Sequence, residues 1–310
     1  MLYPLIFKPI FKKMIWGSES WDITCRSQEM GIIENGKYAG ETFESYIAKN
    51  PISILGTRIA EKERFPLLIK IINAEDILSV QVHPNNTYAR SKNATDSGKS
   101  EMWYVISPPH DGYLIIGLKP EVSRESLALA YKNGTVEDCL NRSYVKTGDI
   151  VNIPAGLVHA LTPGAVIAEV QQNSDITYRL YDYNRLGADG KPRPLHVEDA
   201  LAVADFERKI PVETARPIST VRIGENQIIR VLDEQYFTIS KYNLAEPLIE
   251  NSDREVFSVF TCVDGSIDIV TPEEVVNLPA GRSVFVPAML GSYTLRPNGG
   301  NAALIKSEPK

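Results

Sequence analysis

Apolar and polar residues alternate along many short runs of this chain, and the alternation predicts β-strands. In the run LSVQVH, which ends at His83, every second side chain is apolar, so that Gln81 and His83 lie on the same face of the predicted strand. Comparable runs, separated by Gly, Pro, Asn and Asp, include LLIKII, MWYVI, YLIIGL, DIVNIPA, AVIAEVQ, VFSVF, SIDIV and SVFVPA. Strands with this spacing are typical of an all-β sandwich or barrel.

Two parts of the chain resemble each other, which indicates an internal repeat. GDIVNIPAGLVHAL aligns without gaps on GRSVFVPAMLGSYT, and SEMWYVI aligns on REVFSVF farther upstream. In this alignment Glu101 is matched by Glu255 and His159 by Ser292. We therefore predict a mainly β protein with two β-barrels of the same type.

The first copy is longer than the second, because its matched glutamate and glycine are 47 residues apart and those of the second copy are 26 apart. SRESLALAYKNG has apolar residues at helical spacing, a capping Ser and a terminating Gly, which predicts a helical insertion at about 119–142. LHVEDALAVADF predicts a linker helix at about 195–206. The predicted domains are residues 1–215, which contain the first copy, and residues 216–310, which contain the second.

Composition narrows the kinds of partner. The 310 residues are 43% hydrophobic and 23% charged, as in an ordinary globular protein, and the formal charge is -6. A nucleic-acid or anionic-membrane partner requires a concentrated basic patch, so a small molecule is the expected partner. We expect neither a signal peptide nor a membrane span, because no long apolar stretch occurs. The cysteines are odd in number and widely spaced, which favours a reducing cytoplasm: Cys25, Cys139 and Cys262. A monomer and a homodimer are equally compatible with the pattern.

Four polar residues of the first copy form a candidate metal site. Gln81 and His83 share one strand face, Glu101 opens a later strand, and His159 follows a Pro-Ala-Gly turn. An amide oxygen, two imidazoles and a carboxylate suit a borderline divalent ion such as Zn²⁺. Alternate residues of a small barrel point inward, so ligands from three strands can converge. Their order and spacing resemble the cupin pattern, so we predict two cupin-type (jelly-roll) β-barrels: a catalytic cupin domain, 1–215, and a second cupin-like domain, 216–310, that lacks the metal ligands. Gln81 is the weakest of the four ligands, and a role outside the coordination sphere stays open for it.

The chain resembles type I phosphomannose isomerases, also called mannose-6-phosphate isomerases, in their short bacterial form. The motifs that carry the resemblance are IWGSESWDI, FPLLIKIINAEDILSVQVHPNN, GKSEMWYVI, IPAGLVHAL and QQNSDITYRLYDYNR. The resemblance implies that Gln81, His83, Glu101 and His159 bind one Zn²⁺ per chain. It also implies reversible conversion of mannose 6-phosphate and fructose 6-phosphate, an aldose-ketose isomerisation through an enediolate that needs no redox cofactor.

The resemblance also implies catalytic residues. Arg179 follows Asp175 by four residues, as the catalytic Arg does in the family, and is expected to stabilise the enediolate and orient the sugar. Lys99 precedes Glu101 by two residues and is expected to bind substrate or transfer protons. The general base stays open among Lys99, Asp175 and a metal-bound hydroxide. Phosphate binding is equally open, with five cationic candidates: Lys12, Lys13, Arg90, Lys92 and Arg185.

Two departures from the family pattern occur. Larger members have His-Lys-Pro-Glu before the zinc glutamate, whereas this chain has Gly98, Lys99, Ser100 and Glu101, so a histidine sometimes assigned to ring opening is absent. Phe43 replaces a usual Trp, which predicts a packing change.

Two other functions stay possible on the ligand set alone: an Fe²⁺ dioxygenase and a non-catalytic sugar-binding cupin.

Overall fold

The structure, a computed structural model, describes residues 2–62, 64–187, 190–207 and 214–310, and it is mainly β, as predicted. The strands among these residues are β1 Ile10–Met14, β2 Gly17–Ile23, β3 Leu67–Ala74, β4 Val80–Val82, β5 Glu101–Ser107, β6 Tyr113–Leu118, β7 Leu140–Tyr144, β8 Ile150–Ile153, β9 His159–Ala160, β10 Val166–Gln172 and β11 Tyr178–Tyr181. They continue with β12 Ser219–Ile223, β13 Asn226–Asp233, β14 Phe237–Leu244, β15 Leu248–Asn251, β16 Ser258–Asp264, β17 Ser266–Val270, β18 Val275–Pro279, β19 Ser283–Val286, β20 Ser292–Pro297 and β21 Ala302–Pro309.

Helices are short and few among the described residues. The α-helices are α1 Phe43–Lys49, α2 Pro51–Leu55, α3 Asn86–Ser91, α4 Arg124–Asn133 and α5 Val197–Val203, and single 3-10 turns occur at Gly36–Tyr38 and Val136–Cys139. None of the helices in the described part of the chain combines the length and the apolarity needed to cross a bilayer.

Four sheets account for the strands. Sheet A has the order β1-β2-β3-β10-β5-β8, sheet B has β11-β4-β9-β6-β7, sheet C has β12-β13-β14-β21-β16-β19, and sheet D has β15-β20-β17-β18. The pairs of strands with a printed register are antiparallel throughout, for example β5 with β10 and β16 with β21. Antiparallel sheets of this kind bury one face and leave the other to water or to a further layer.

The chain divides into two compact units. The site unit comprises residues 12–19 and 72–214, and the C-terminal unit comprises residues 1–11, 20–71 and 215–310. The sequence predicted a single boundary near residue 215, and one of the observed junctions lies there. The other junctions group most of the first 71 residues with the C-terminal unit. The reason is that β19 pairs with the N-terminal segment: Phe285 and Leu5 exchange two backbone hydrogen bonds of 2.8 Å.

Each unit has its own apolar core between two sheets. In the site unit, side chains from sheet A such as Trp103 and Ile167 pack with side chains from sheet B such as Leu114 and Ile116. In the C-terminal unit, Phe260 and Leu304 of sheet C pack with side chains of sheet D in the same way. Burial of these two faces is the main stabilising contribution to each unit.

Helix α4 and the following 3-10 turn lie in the stretch predicted as a helical insertion. The Ser123 side chain accepts from the backbone of Ser126 while the Ser126 side chain accepts from the backbone of Ser123, which is a capping box. At the other end Gly134 adopts the left-handed conformation, with φ of 72°. A glycine is favoured there because a Cβ atom is strained at positive φ.

Helix α5, Val197–Val203, lies in the stretch predicted as a linker helix at about 195–206. Helix α5 packs on sheet B, since its buried Ala200 belongs to a cluster that includes Val80, Leu127 and Leu180. Residues 208–213, which follow this helix after Glu207, lie outside the residues that the structure describes.

The internal repeat is confirmed by the order of the strands. The run β3-β10-β5-β8 in sheet A corresponds to β14-β21-β16-β19 in sheet C, and β4-β9-β6-β7 in sheet B corresponds to β15-β20-β17-β18 in sheet D. Two similar sheets in each unit explain why the sequence shows the same motif twice.

Strand register corrects the residue equivalences inferred from the gapless alignment. Ile153 on β8 lies opposite Glu101, whereas the matching Val286 on β19 lies opposite Ser258, so Ser258 and not Glu255 is the counterpart of Glu101. Ser292 is likewise the wrong counterpart of His159, because Ser292 is exposed and its neighbour Tyr293 is the buried residue facing the core. The alignment was wrong at these points because the loops before the strands differ in length.

Candidate metal centre

Three strands bring the predicted metal ligands together in the site unit. On sheet B, Gln81 of β4 lies directly opposite His159 of β9. His83 follows the end of β4, and Glu101 begins β5 on sheet A. The site therefore forms where the two sheets face each other, and none of these contacts exists within a single strand.

Distances among these side chains fit a shared ligand. Nε2 of His83 lies 3.5 Å from Oε2 of Glu101, and Nε2 of His159 lies 3.4 Å from Oε1 of the same carboxylate. Candidate ligand atoms of His83, Glu101 and His159 all lie within 4.8 Å of one another. Nε2 of Gln81 lies 3.3 Å from Nε2 of His159, so the side chain of Gln81 lies next to the three clustered residues. The donors fit a divalent metal of the zinc type, whose N and O ligands these are.

Hydrogen bonds to carbonyl oxygens orient both imidazoles. Nδ1 of His83 lies 2.8 Å from the carbonyl oxygen of Ile176, and Nδ1 of His159 lies 2.8 Å from that of Leu157. Each Nδ1 therefore donates, and each Nε2 keeps its lone pair for the centre. Burial lowers the pKa of His159 to about 4, which keeps its imidazole neutral at physiological pH. A neutral imidazole is the form that binds metals.

Lys99 lies beside the centre although it precedes β5 and is not part of the strand. Its Nζ lies 2.9 Å from Oε2 of Glu101, and its side chain is only 5% exposed. Burial lowers the pKa of Lys99, but the charges of Glu101, Glu169 and Asp175 outweigh burial and raise it above its usual value. Lys99 is thus a buried cation held against the carboxylate of the centre.

Sequence reasoning missed two polar residues at the same centre. Glu169 on β10 is buried opposite Trp103, accepts a 3.2 Å hydrogen bond from its indole, and contributes to the electrostatic field at Lys99. Gln171 lies directly opposite Glu101 on β10 and is fully buried. A signal was present in AVIAEVQQ, because acidic and amide residues interrupt a strand that is otherwise apolar on both faces.

Asp175 and Arg179 differ in how close the structure brings them to the ligands. Arg179 lies opposite Gln81 on adjacent strands, and directly opposed residues project to the same face of a sheet. Its Nη1 donates a 2.8 Å hydrogen bond to the carbonyl oxygen of Pro194. Asp175 is exposed, and its backbone N–H donates to the side chain of Asp96 over 3.0 Å. Its charge reaches Lys99, whose pKa it helps to raise.

Two of the five residues predicted to bind phosphate form ion pairs with carboxylates of the protein. Lys92 lies 2.8 Å from Asp199, and Arg185 lies 2.6 Å from Asp182. Arg90 is exposed at the end of α3. Each member of the set, which also contains Lys12 and Lys13, stays a prediction.

Phe43 packs in an aromatic cluster of the C-terminal unit, in agreement with the predicted packing role. Its ring centroid lies 4.6 Å from that of Phe7, 4.9 Å from that of Phe65 and 5.0 Å from that of Phe285. Four phenylalanines in contact leave little room for a larger ring at this position.

Comparison with known proteins shows the family to which this chain belongs. The model "Phosphomannose isomerase type I, catalytic domain" matches residues 8–109, and "Mannose-6-phosphate isomerase, cupin domain" matches residues 227–309. Mannose-6-phosphate isomerase ManA of Bacillus subtilis is 32% identical over 308 residues, which are 94% of this chain and 95% of that protein. The chain belongs to the mannose-6-phosphate isomerase family.

Two further relatives agree with this assignment. The mannose-6-phosphate isomerase of Streptococcus mutans is 34% identical over 262 residues, covering 79% of this chain and 80% of that one. The crystal structure of the Bacillus subtilis mannose 6-phosphate isomerase superposes with a TM-score of 0.88 at 28% identity, over 99% of both chains. The fold is accordingly a member of the cupin family, and the resemblance noted in the sequence is confirmed.

Proposed function

We propose that this protein catalyses the reversible isomerisation of mannose 6-phosphate and fructose 6-phosphate at one zinc ion per chain. The observation that carries the proposal is the convergence of Gln81, His83, Glu101 and His159, with Lys99 against the carboxylate, in a chain of the mannose-6-phosphate isomerase family. We propose that these four residues hold the ion. When bound, zinc supplies Lewis acidity that stabilises negative charge on the substrate oxygens without any change of oxidation state.

The reaction moves hydrogen between C1 and C2 of the sugar, so the enzyme has to accommodate an enediolate. Arg179 is our candidate for binding the enediolate oxygens, because a guanidinium keeps its charge and can donate two parallel hydrogen bonds. The bond from its Nη1 to the carbonyl of Pro194 and its position opposite Gln81 hold it next to the ligands. Arg179 is half-buried, and partial removal from water strengthens its interaction with an anion.

Proton transfer is assigned to the side of the centre formed by Lys99. Nζ of Lys99 is buried and lies within hydrogen-bond distance of Glu101, so it can hold or pass a proton next to the substrate. Asp175 is exposed and is a candidate for the group that exchanges this proton with solvent. The general base stays open among Lys99, Asp175 and a metal-bound hydroxide.

A coupled assay tests the reaction and the metal together. The fructose 6-phosphate formed from mannose 6-phosphate is isomerised by one coupling enzyme, and a second coupling enzyme oxidises the product. The assay is run before chelation, after chelation and after Zn²⁺ is added back. We expect activity to disappear with the chelator and to return with zinc, and bound zinc to be stoichiometric by elemental analysis. An active, metal-free protein would contradict the proposal, and oxygen consumption with bound iron would favour a dioxygenase.

The role of Arg179 has a separate test. Arg179→Ala is expected to lower kcat by about 10²- to 10³-fold, since one charged donor to the developing oxyanion is lost, while stoichiometric zinc is retained. Arg222→Ala is the matched control, because Arg222 is exposed on β12 of the C-terminal unit. Near-normal turnover of Arg179→Ala would remove this residue from the mechanism.

Four finer expectations accompany this proposal. We propose that each pair of facing sheets closes into a jelly-roll barrel, and that the C-terminal unit binds no metal. The cytoplasmic location and the monomeric or homodimeric state stay predictions.

A further inference from the structure

A buried carboxylate of the site unit, that of Asp182, binds two arginines. Its Oδ1 accepts hydrogen bonds of 2.6 Å from Nη2 of Arg185 and from Nη2 of Arg193, and its Oδ2 accepts one of 2.7 Å from Nε of Arg193. The side chain of Asp182 is only 5% exposed. Burial raises the pKa of Asp182, but the hydrogen bonds from the two arginines outweigh burial and hold this pKa below its usual value. The carboxylate is therefore charged.

An uncommon turn presents Asp182 to the arginines. The backbone N–H of Arg185 donates a 3.0 Å hydrogen bond to the carbonyl oxygen of Asp182, which closes the turn. The two residues between them, Tyr183 and Asn184, have φ of 54° and 55°, a conformation that is uncommon for residues other than glycine. Backbone strain of this kind persists only where surrounding contacts fix the chain, and it is concentrated at functional sites.

The chain that follows this turn passes next to Arg179, the residue proposed to bind the enediolate. Nη1 of Arg179 donates a 2.8 Å hydrogen bond to the carbonyl oxygen of Pro194, and the backbone N–H of His196 donates one of 2.8 Å to the carbonyl oxygen of Arg179. Arg193 directly precedes Pro194. Burial, followed by the charge of Arg193, lowers the pKa of Arg179, so the two guanidiniums lie within each other's electrostatic field. Arg193 is thus a neighbour of the proposed active site.

Arg185 and Arg193 differ in what their guanidinium groups leave for a ligand. Arg185 donates from Nε to the carbonyl oxygen of Asp182 over 3.4 Å, from Nη1 to the carbonyl oxygen of Ile77 and from Nη2 to the Asp182 carboxylate. Every nitrogen of this guanidinium is therefore used within the protein. Arg193 pairs with Asp182 through Nε and Nη2, so Nη1 lies outside the pair. A guanidinium has five N–H donors, and those at the outer end of Arg193 can bind a second anion.

The charges around Arg193 favour an anion. The guanidiniums of Arg179, Arg185 and Arg193 outnumber the carboxylates, which are Asp182 and the exposed Asp76, 3.4 Å from Arg185. Nε of Arg179 is buried and has no hydrogen-bond partner among the residues that the structure describes. A buried donor without a partner is costly, which indicates a ligand that completes the site. The side chain of Arg193 is 18% exposed, so a solute can reach it.

We propose that Arg193 binds the phosphate group of the sugar substrate and that Asp182 is the positioning residue that holds its guanidinium in place. This inference rests on the proposed isomerase function, which supplies a substrate with a phosphate dianion. Two phosphate oxygens can accept parallel hydrogen bonds from the outer end of a guanidinium. Because Arg193 adjoins Arg179, one sugar phosphate can contact Arg179 near its reacting carbons and Arg193 at its phosphate. The five cations suggested by the sequence did not include Arg193.

Binding of mannitol 1-phosphate to the zinc-loaded, full-length protein tests the proposal independently of turnover. This compound is mannose 6-phosphate with its carbonyl group reduced, so it keeps the phosphate and cannot be isomerised. Arg193→Ala should raise its dissociation constant by about 10- to 100-fold in isothermal titration calorimetry, because a charged donor to the phosphate is lost. Arg193→Lys keeps a cation for Asp182 but loses the planar fork, and it should raise the constant by about 10-fold. Arg142→Ala is the matched control and should bind as the wild type does, since Arg142 is exposed in the site unit.

Steady-state kinetics distinguishes a role in phosphate binding from damage to the fold. In Arg193→Ala and in Asp182→Asn, the KM for mannose 6-phosphate should rise by about 10-fold or more and change more than kcat does, while bound zinc stays stoichiometric. Asp182→Glu should restore part of the wild-type KM, because it keeps a carboxylate for Arg193. If Asp182 only maintained the fold, Asp182→Asn would lower kcat and zinc content together with substrate binding.

Two results would overturn the proposal: absence of saturable binding of mannitol 1-phosphate to the wild-type protein, and a dissociation constant and KM that Arg193→Ala leaves unchanged. If the wild type fails to isomerise mannose 6-phosphate while binding of mannitol 1-phosphate still depends on Arg193, the proposed reaction is wrong and the phosphate site is supported. A crystal structure of the wild-type protein with mannitol 1-phosphate does not depend on the folding of a variant. A phosphate within hydrogen-bond distance of Arg193 is the expected result, and a phosphate held elsewhere contradicts it.

Discussion

Asp22 is expected to make the stability of this protein fall as the pH rises through the weakly acidic range. The carboxyl group is 2% exposed, accepts a 2.6 Å hydrogen bond from the backbone N–H of Ser283, and lies 3.9 Å from the guanidinium of Arg282. Burial outweighs these favourable contacts and raises the pKa of Asp22 from 3.8 to about 6. The folded state therefore binds the proton more tightly than the unfolded state.

The size and sign of the effect follow from that pKa difference. Between pH 4 and pH 6 the folded chain holds a proton on Asp22 that the unfolded chain has released, so folding is favoured at the lower pH. A shift of about two pKa units corresponds to about 3 kcal/mol, present below the unfolded pKa and lost as the pH rises through the folded one. Between pH 4.5 and pH 7.5, the contribution of Asp22 to the free energy of unfolding falls by about 2 kcal/mol.

Asp22→Asn removes the titration but keeps a side-chain oxygen for the Ser283 N–H. Free energies of unfolding are measured by urea denaturation of both proteins at pH 4.5, 6.0 and 7.5, a series chosen to bracket the pKa of about 6. The stability of the wild-type protein relative to the variant should fall by about 2 kcal/mol across the series, while the other titrating groups cancel in the comparison. The matched control is Asp111→Asn, because Asp111 is exposed. A difference that stays constant with pH, or that rises, would refute the reasoning.

Four further substitutions have expected outcomes. His83→Ala should weaken zinc binding by more than about 100-fold in a chelator competition, because a ligand is lost, and unchanged affinity would remove His83 from the centre. Ser123→Ala should lower the unfolding free energy by about 1 kcal/mol through loss of the capping box, and no change in the denaturation midpoint would contradict this. Gly17→Ala should cost about 3 kcal/mol or more, since its Cβ would lie 2.1 Å from the backbone oxygen of Asn73. Gly134→Ala, whose Cβ has no neighbour within 4 Å, should cost only about 1 kcal/mol by the same measurement.

Local features of the sequence predicted much of the fold. Alternation of polar and apolar residues has the period of a strand, so the run that contains Gln81 and His83 was recognisable without a structure. Helix α4 was equally recognisable, because Ser123 and Gly134 satisfy backbone requirements at its two ends that depend only on neighbouring residues. The internal repeat was visible for the same reason: corresponding strands need similar patterns.

The residues that form the centre depend on contacts that local pattern does not contain. The approach of His159 to Gln81 requires the pairing of β9 with β4, and the approach of both to Glu101 requires packing of sheet B on sheet A. Glu169 escaped prediction because β10 is buried on both faces, so its pattern does not say which side chain faces the ligands.

The sequence by itself determined much of the secondary structure, the repeat and the family, since these rest on residue type and on spacing along the chain, and it predicted the metal ligands on the same basis. The tertiary structure decided which residues of the two copies correspond, that most of the first 71 residues join the C-terminal unit, and that Asp182 binds both Arg185 and Arg193. The physical reason is that strand register and sheet packing are set by the sum of many long-range contacts. Each contact is too weak to be recognised from the residue type at one position of the chain.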